Sequence, residues 1–205
     1  MNEFDLKAAE WDKNPMHLER SVAIAREIIE KIPLNREMSV LEYGAGTGIT
    51  SFILREYVKE ITLMDNSAEM VRVIDEKIRS TKVKNLRSLF FNLETDDYHG
   101  GTFDMIFTQL VLHHVADIGK IITKFSQLLN SGGWLVIADL YEEDGSFHGE
   151  GFTGHKGFNL DSLSGILRKN HFSEISHKPC YVIDRMVTDT KSEQFEVFML
   201  SAKKI

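Results

Sequence analysis

Val40-Leu41-Glu42-Tyr43-Gly44-Ala45-Gly46-Thr47-Gly48 is a short apolar run that breaks into three glycines, and a helix-like stretch from Thr47 to Tyr57 follows it. A strand buried on both faces reads as a near-continuous apolar run, and Met38 to Tyr43 fits that description. Glycines in the turn after it admit positive φ and let a bound molecule approach the backbone closely. A tight strand-to-helix turn needs nothing more, so the spacing has to carry any ligand argument. A dinucleotide fingerprint requires G-x-G-x-x-G, and counting from Gly44 its third glycine falls on Ile49. The pattern is instead G-x-G-x-G, with Glu42 two positions before the first glycine.

Working outward, Glu60 to Met64 reads as the next strand and ends on Asp65, 21 residues after Gly44. In a doubly wound sheet a carboxylate at this tip can accept both hydroxyls of a ribose. A helix from Ser67 to Arg79 follows, with Asn66 as the expected N-cap and Glu69 reaching back to it. Strands are expected at Arg87 to Asn92, at Phe103 to Thr108 after a Gly100-Gly101 turn, and at Trp134 to Ala138. Between the last two, a helix from Asp117 to Leu129 turns Ile118, Ile121, Ile122, Phe125, Leu128 and Leu129 inward and is expected to end in a left-handed cap at Gly132-Gly133. Upstream, Leu18, Val22, Ala25, Ile29 and Ile32 recur at helical spacing from His17 to Pro33. Downstream, a helix from Leu160 to Lys169 precedes two strands, Glu174 to Arg185 and Glu193 to Ala202, which have no helix between them and should pair antiparallel. The reading is an α/β fold: a doubly wound, Rossmann-like, seven-stranded, mostly parallel sheet with an antiparallel C-terminal edge strand and helices on both faces. One domain spans 1–205, with a helical cover at 1–36, a ligand-binding core at 37–140 and an acceptor-side loop, helix and strands at 141–205.

Together these segments resemble the class I S-adenosylmethionine-dependent methyltransferases. The likeness rests on Leu41 to Gly48, on Leu63-Met64-Asp65, on Phe103 to Val115, and on Leu128 to Leu135, in that order. The resemblance implies a cofactor, S-adenosyl-L-methionine, whose methionine part lies on Gly44, Gly46 and Gly48 with Ala45 and Thr47 between them. It implies Glu42 near the amino group, Asp65 on the ribose, Asn92 and Leu93 at the adenine and Gln109 beside the methionine tail. Asn66, Met70 and Leu110 complete the implied contact set. Similar chains more often carry Asp at position 92; Asn still accepts at its carbonyl while its amide donates elsewhere.

Methyl transfer is an in-line displacement at carbon, so much of the work is alignment of the reactants in a dry pocket. A protonated nucleophile also needs a base, and histidine suits that role near neutrality. His113 and His114, just past the fourth strand, are the candidates; their competing role is to hold a loop or pack beneath the cofactor. Gly145 to Gly157 holds five of the chain's 14 glycines, interleaved with Phe147, His148, Phe152 and His155, and reads as a lid. With Trp11 in the N-terminal cover and Tyr141 after the fifth strand, Phe147, His148 and His155 form the expected acceptor side. Zinc held by His148 and His155 is disfavoured, since their separation matches no usual short ligand pair and no cysteine accompanies them; no metal is expected.

Composition sets the outer bounds. The chain has 205 residues, 42% of them hydrophobic, and a formal net charge of −7 that would repel a phosphate backbone. The lone Cys180 forms no internal disulfide, the N-terminus lacks the pattern of a signal peptide, and nowhere do about 18 apolar residues run together. The expectation is a cytoplasmic enzyme with a small-molecule methyl acceptor, no nucleic acid and no membrane; its oligomeric state stays open. An RNA or protein methyltransferase is the first alternative. It calls for a basic groove or an Asn-Pro-Pro-Tyr-like motif, and Gln109-Leu110-Val111-Leu112 stands in that place. A non-catalytic cofactor-binding regulator and an NAD(P)-dependent oxidoreductase complete the alternatives.

Overall fold

The computed structural model describes residues 3–188 and 190–205, so the first two residues of the expected N-terminal cover lie outside the described residues. The chain opens with α1 (Glu3–Lys7), a 3-10 segment (Ala8–Lys13) and α2 (Pro15–Lys31), then alternates. The alternating part runs β1 (Ser39–Tyr43), α3 (Ile49–Leu54), β2 (Glu60–Asp65), α4 (Ala68–Thr81) and β3 (Leu86–Phe90). It continues as β4 (Phe103–Gln109), α5 (Ile118–Leu128), β5 (Leu129–Leu140) and α6 (Leu160–Lys169), and closes with β6 (Phe172–Thr188) and β7 (Lys191–Lys204).

All seven strands join one sheet in the order β3-β2-β1-β4-β5-β7-β6. The first five pair in parallel, and β7 pairs antiparallel with both β5 and β6. The reversed strand is therefore β7, one place in from the edge, and the edge strand β6 runs in the direction of the parallel set. From β1 the chain winds outward to β2 and β3 and then crosses back to β4. The C-terminal ends of β1 and β4 thus form the switch point at which open α/β sheets bind ligands.

Alternation along each strand splits the core into two layers. Val40, Met105, Phe107, Val136 and Val197 pack with Ile24 and Ile28 of α2, Leu54 of α3 and Ile74 of α4. Leu41, Ile106, Leu135, Ile137 and Phe198 face the other way, onto Ile121, Ile122 and Phe125 of α5 and Leu163 and Leu167 of α6. Both faces are covered, which is why the strands carry apolar residues on successive positions. No helix among the described residues is long and apolar enough to cross a membrane.

Three local expectations are corrected. Leu18 and Val22 of α2 are exposed, and the buried stripe is Arg20, Ser21, Ile24, Ala25 and Ile28: the helix turns toward a cavity at its N-terminal end and toward the sheet only from Ile24. The N-cap of α4 is Ser67, whose hydroxyl accepts from Met70 N–H; Glu69 pairs with Arg72 at 2.8 Å instead of reaching back. Helix α5 passes straight into β5 at Leu129, so Gly132, at φ +78°, serves the irregular start of a strand.

Candidate active site

At the switch point a cavity of about 700 Å³ opens between the loop after β1 and the loop after β4, within the range of roughly 300–1,000 Å³ usual for small-molecule sites. Gly44 and Gly46 line it at φ +69° and +55°. A Cβ on Gly46 would find only Trp11 Nε1, at 4.0 Å, so this backbone faces open cavity. A Cβ on Gly44 would meet Val111 Cγ2 at 2.4 Å, because the two loops touch there. Ala45 lines the cavity, whereas Thr47 and Gly48 lie behind the loop. The Thr47 hydroxyl donates to Asp12, Lys77 Nζ bridges Asp12 and Thr47 O at 2.8 Å each, and a Cβ on Gly48 would strike Leu63 Cδ2 at 2.4 Å.

Asp65 closes β2 beside this loop, accepting from Gly46 N–H at 2.7 Å and from Ser67 N–H at 2.8 Å. Burial pushes its carboxyl up to about 6, against the pull of those two N–H donors. Glu42 is fully buried beneath the loop on the α2–α4 face, takes a hydrogen bond from the Ser51 hydroxyl, and is pushed up to about 8 by burial. Asn66, Met70, Asn92, Leu93, Gln109 and Leu110 all reach the lining. Leu110 sits at φ +52°, held by its N–H to Ala138 O at 2.8 Å, the kind of backbone strain that gathers at functional sites. Gln109 Nε2 donates to Ser21 Oγ at 3.3 Å.

The N-terminal elements roof the cavity. Trp11 stacks on His17 with centroids 4.2 Å apart and meets Phe4 edge-on, and His17 Nδ1 bonds Trp11 O at 2.9 Å. His17, half-buried, has its pKa lowered chiefly by desolvation. Arg20 reaches the lining from the buried stripe of α2, and its loss of solvent lowers its pKa. Among the described residues, Arg20 Nε, Glu42 Oε1 and Gln109 Oε1 are buried polar atoms with no hydrogen-bond partner.

The third wall is made of histidines and phenylalanines. After β4, Leu112 to His114 form a 3-10 turn that buries His113. Asp139, fully buried near the end of β5, accepts from Leu112 N–H at 3.0 Å, from Leu140 N–H at 2.8 Å and from His113 Nδ1 at 2.6 Å. A carboxylate already accepting two amides accepts from this ring as well, so His113 Nδ1 carries the donated hydrogen. The loop from Glu142 to Asn159 folds back over this turn, with His155 N–H donating to His113 O at 2.7 Å and Glu143 Oε2 accepting from Gly145 and Phe147 N–H. Phe147 is thereby buried under Arg185 of β6, 4.7 Å from its ring centre, and His148 lies 5.1 Å, centroid to centroid, from both His113 and His114. One ring nitrogen of each of these three histidines lies within 4.8 Å of one from each of the others.

Of the expected acceptor-side residues, Trp11, Phe147 and His148 line the cavity with His113 and His114. His155 points elsewhere, Nε2 to Val115 O at 3.0 Å, and Tyr141 lines a separate small groove with Phe158 and His177. Sequence reasoning missed Phe4, His17, Arg20, Asp139 and Arg185. A signal existed for two of them. Arg20 is four and eight residues from Ile24 and Ile28, on the buried stripe, and Asp139 stands at the end of the apolar run Trp134 to Ala138 as Asp65 stands at the end of β2.

A protein-family model described as a methyltransferase domain matches residues 34–179. An uncharacterized methyltransferase of Schizosaccharomyces pombe is 31% identical over 152 residues, which are 66% of this chain and 54% of the relative. A polyketide synthase-nonribosomal peptide synthetase of Aspergillus clavatus is 28% identical over 182 residues, 78% of this chain and 4% of that protein. The chain thus matches about half of the first relative and a small part of the second. Among solved structures, the N-methyltransferase NodS of Bradyrhizobium japonicum in complex with S-adenosyl-L-homocysteine superposes with a TM-score of 0.69 at 17% identity, covering 94% of this chain and 89% of NodS.

Proposed function

Because the chain belongs to the class I S-adenosylmethionine-dependent methyltransferases, we propose that it methylates a small molecule held between the glycine loop and the three-histidine wall. The observation that carries this reading is the continuity of one roofed cavity. Gly44, Gly46 and Asp65 line one end, His113, His148 and Arg185 the other, and the N-terminal elements lie across the top. A roofed space of about 700 Å³ suits a small acceptor better than a folded macromolecule.

The residues present fit the cofactor. The open face of Gly46 admits a ligand against the backbone, and Asp65 keeps lone pairs for a ribose beyond the two N–H bonds it already accepts. Asn92 and Leu93 also line the cavity, and the buried, unpartnered Arg20 Nε and Gln109 Oε1 are donor and acceptor for an amino-acid tail. The cofactor supplies an electrophilic methyl group on a sulfonium. The protein's part is to orient the acceptor, exclude water under Phe4, Trp11 and Phe147, and activate the nucleophile at the histidine wall, where Asp139 holds His113 in one tautomer.

The cytoplasmic setting rests on the single thiol, Cys180. The similarity to a segment of a polyketide synthase-nonribosomal peptide synthetase supports a small, metabolite-like acceptor. The test is transfer of radiolabelled methyl from S-adenosylmethionine into fractionated cell extract by the purified chain. Label is expected in the low-molecular-weight fraction, and label confined to protein or RNA overturns the proposal. In the same assay His113→Gln should lose most turnover with cofactor affinity intact, and an undiminished rate would remove His113 from the chemistry.

A further inference from the structure

We propose that His113, His114 and His148 form a binding site for a divalent transition metal, Zn²⁺ by its donor set, whose remaining coordination position takes the heteroatom of the methyl acceptor. The inference deepens the methyltransferase reading and rests on it for its purpose, though not for the metal site itself.

Three observations converge. First, side chains from two separate segments meet: two come from the turn after β4 and the third from the loop after β5, and a ring nitrogen of each lies within 4.8 Å of the others. Three neutral imidazoles with an open position are a catalytic zinc donor set. Tetrahedral bonds of about 2.05 Å put ligand nitrogens about 3.3 Å apart, so the cluster closes on an ion by about 1.5 Å or less. Second, His113 carries the outer partner that metal-binding histidines use. Its Nδ1 donates to the buried Asp139 at 2.6 Å, and Asp139 is itself clamped by the N–H groups of Leu112 and Leu140. That arrangement fixes the ring and turns Nε2 to the ligand side. Third, the backbone just beyond His148 has open space around it. The loop is pinned at His155 N–H and at Glu143, while Gly149 and Gly151 have nothing within 4 Å of an added Cβ.

The position of the cluster gives the ion its use. His113, His114 and His148 line the same cavity as Gly44, Gly46 and Asp65, so an acceptor atom on the metal shares one cavity with the cofactor cradle. A thiol or hydroxyl acceptor loses its proton to solvent water on binding the ion, since a divalent metal lowers the pKa of such a ligand. The heteroatom keeps the electron pair of the broken bond to hydrogen and gives it to the methyl carbon. The carbon–sulfur pair stays on the cofactor sulfur, which ends as a neutral thioether. The acceptor class is therefore a soft or ionisable nucleophile, a thiol before an alcohol. Sequence alone weighed the wrong pair, because His155 spends its Nε2 on Val115 O and His148 reaches back to the turn instead.

The experiment titrates the chelator-treated, full-length chain with Co²⁺, followed by visible absorption, and with Zn²⁺, followed by calorimetry. One ion per chain with tetrahedral cobalt bands is expected. His114→Ala and His148→Ala should each weaken binding at least tenfold, and His177→Ala, an exposed histidine outside the cavity, should leave it unchanged. Calorimetry with S-adenosylhomocysteine on the metal-free chain reads the cofactor site separately: binding there with no metal uptake overturns the metal proposal alone. Metal uptake without cofactor binding overturns the methyltransferase reading and leaves the site standing. Uptake that His148→Ala does not diminish, or that His177→Ala diminishes equally, also overturns the assignment, and circular dichroism of each variant confirms that it is folded.

Discussion

The two ends of the cavity are built on different principles. The glycine-loop end is backbone: Gly44, Gly46 and Asp65 sit at strand tips within about 25 residues of one another, and the sheet ladder between β1 and β2 sets their distance. The histidine end is side chain: Phe4, His113, His148 and Arg185 arrive from four separate segments, held by a few hydrogen bonds and ring contacts. A common cofactor can be held by the first kind of construction in many proteins, and an individual acceptor is selected by the second.

The sharpest way to break this comparison is to place the same substitution at both ends. Gly44 and Gly149 both have positive φ, +69° and +82°, but an added Cβ meets Val111 at 2.4 Å in the first and nothing in the second. Gly44→Ala combines backbone strain with overpacking and should cost at least about 2 kcal/mol, against about 1 kcal/mol for Gly149→Ala. Denaturant midpoints measure both, and equal losses would show that the loop after β1 is no more rigid than the loop after β5.

Next in size is the ribose contact. Asp65→Ala should weaken binding of S-adenosylhomocysteine by roughly 1.5–3 kcal/mol, the worth of hydrogen bonds to a charged group. With its carboxyl pushed up to about 6, wild-type affinity should also fall as pH drops through that value, and calorimetry across pH 5 to 8 tests it. A flat profile would place the ribose elsewhere.

A test on stability rather than binding concerns Glu42, whose folded value of about 8 lies above its ordinary 4.5. Between those values the folded chain holds a proton that the unfolded chain has released, so this group's contribution to stability declines as pH rises. Glu42→Gln carries no charge at any pH and should gain in Tm relative to wild type across that window. A constant difference would show that Glu42 is ionised throughout.

Much of the backbone end was legible in the sequence. Apolar runs, glycine spacing and acidic strand ends are local signals, and all seven strands stand where periodicity and punctuation put them, β5 beginning five residues early, at Leu129. The misreadings were local competitions: Ser67 took the cap from Asn66 because Asp65 holds its N–H, and α2 turned Leu18 to solvent because its first turns face a cavity. At the histidine end, the residue types at 113, 114 and 148 were visible, but their partners were not.

By itself the sequence determined the alternation of strand and helix, the glycine turn and the two carboxylates beside it, since each depends on residues that are neighbours along the chain. Tertiary structure alone decided that Asp139 clamps His113 and that His148 rather than His155 joins it. Those contacts join residues 26 and 35 positions apart along the chain. No local periodicity encodes them, because each is selected by how two covered faces of one sheet bring distant loops to the same switch point.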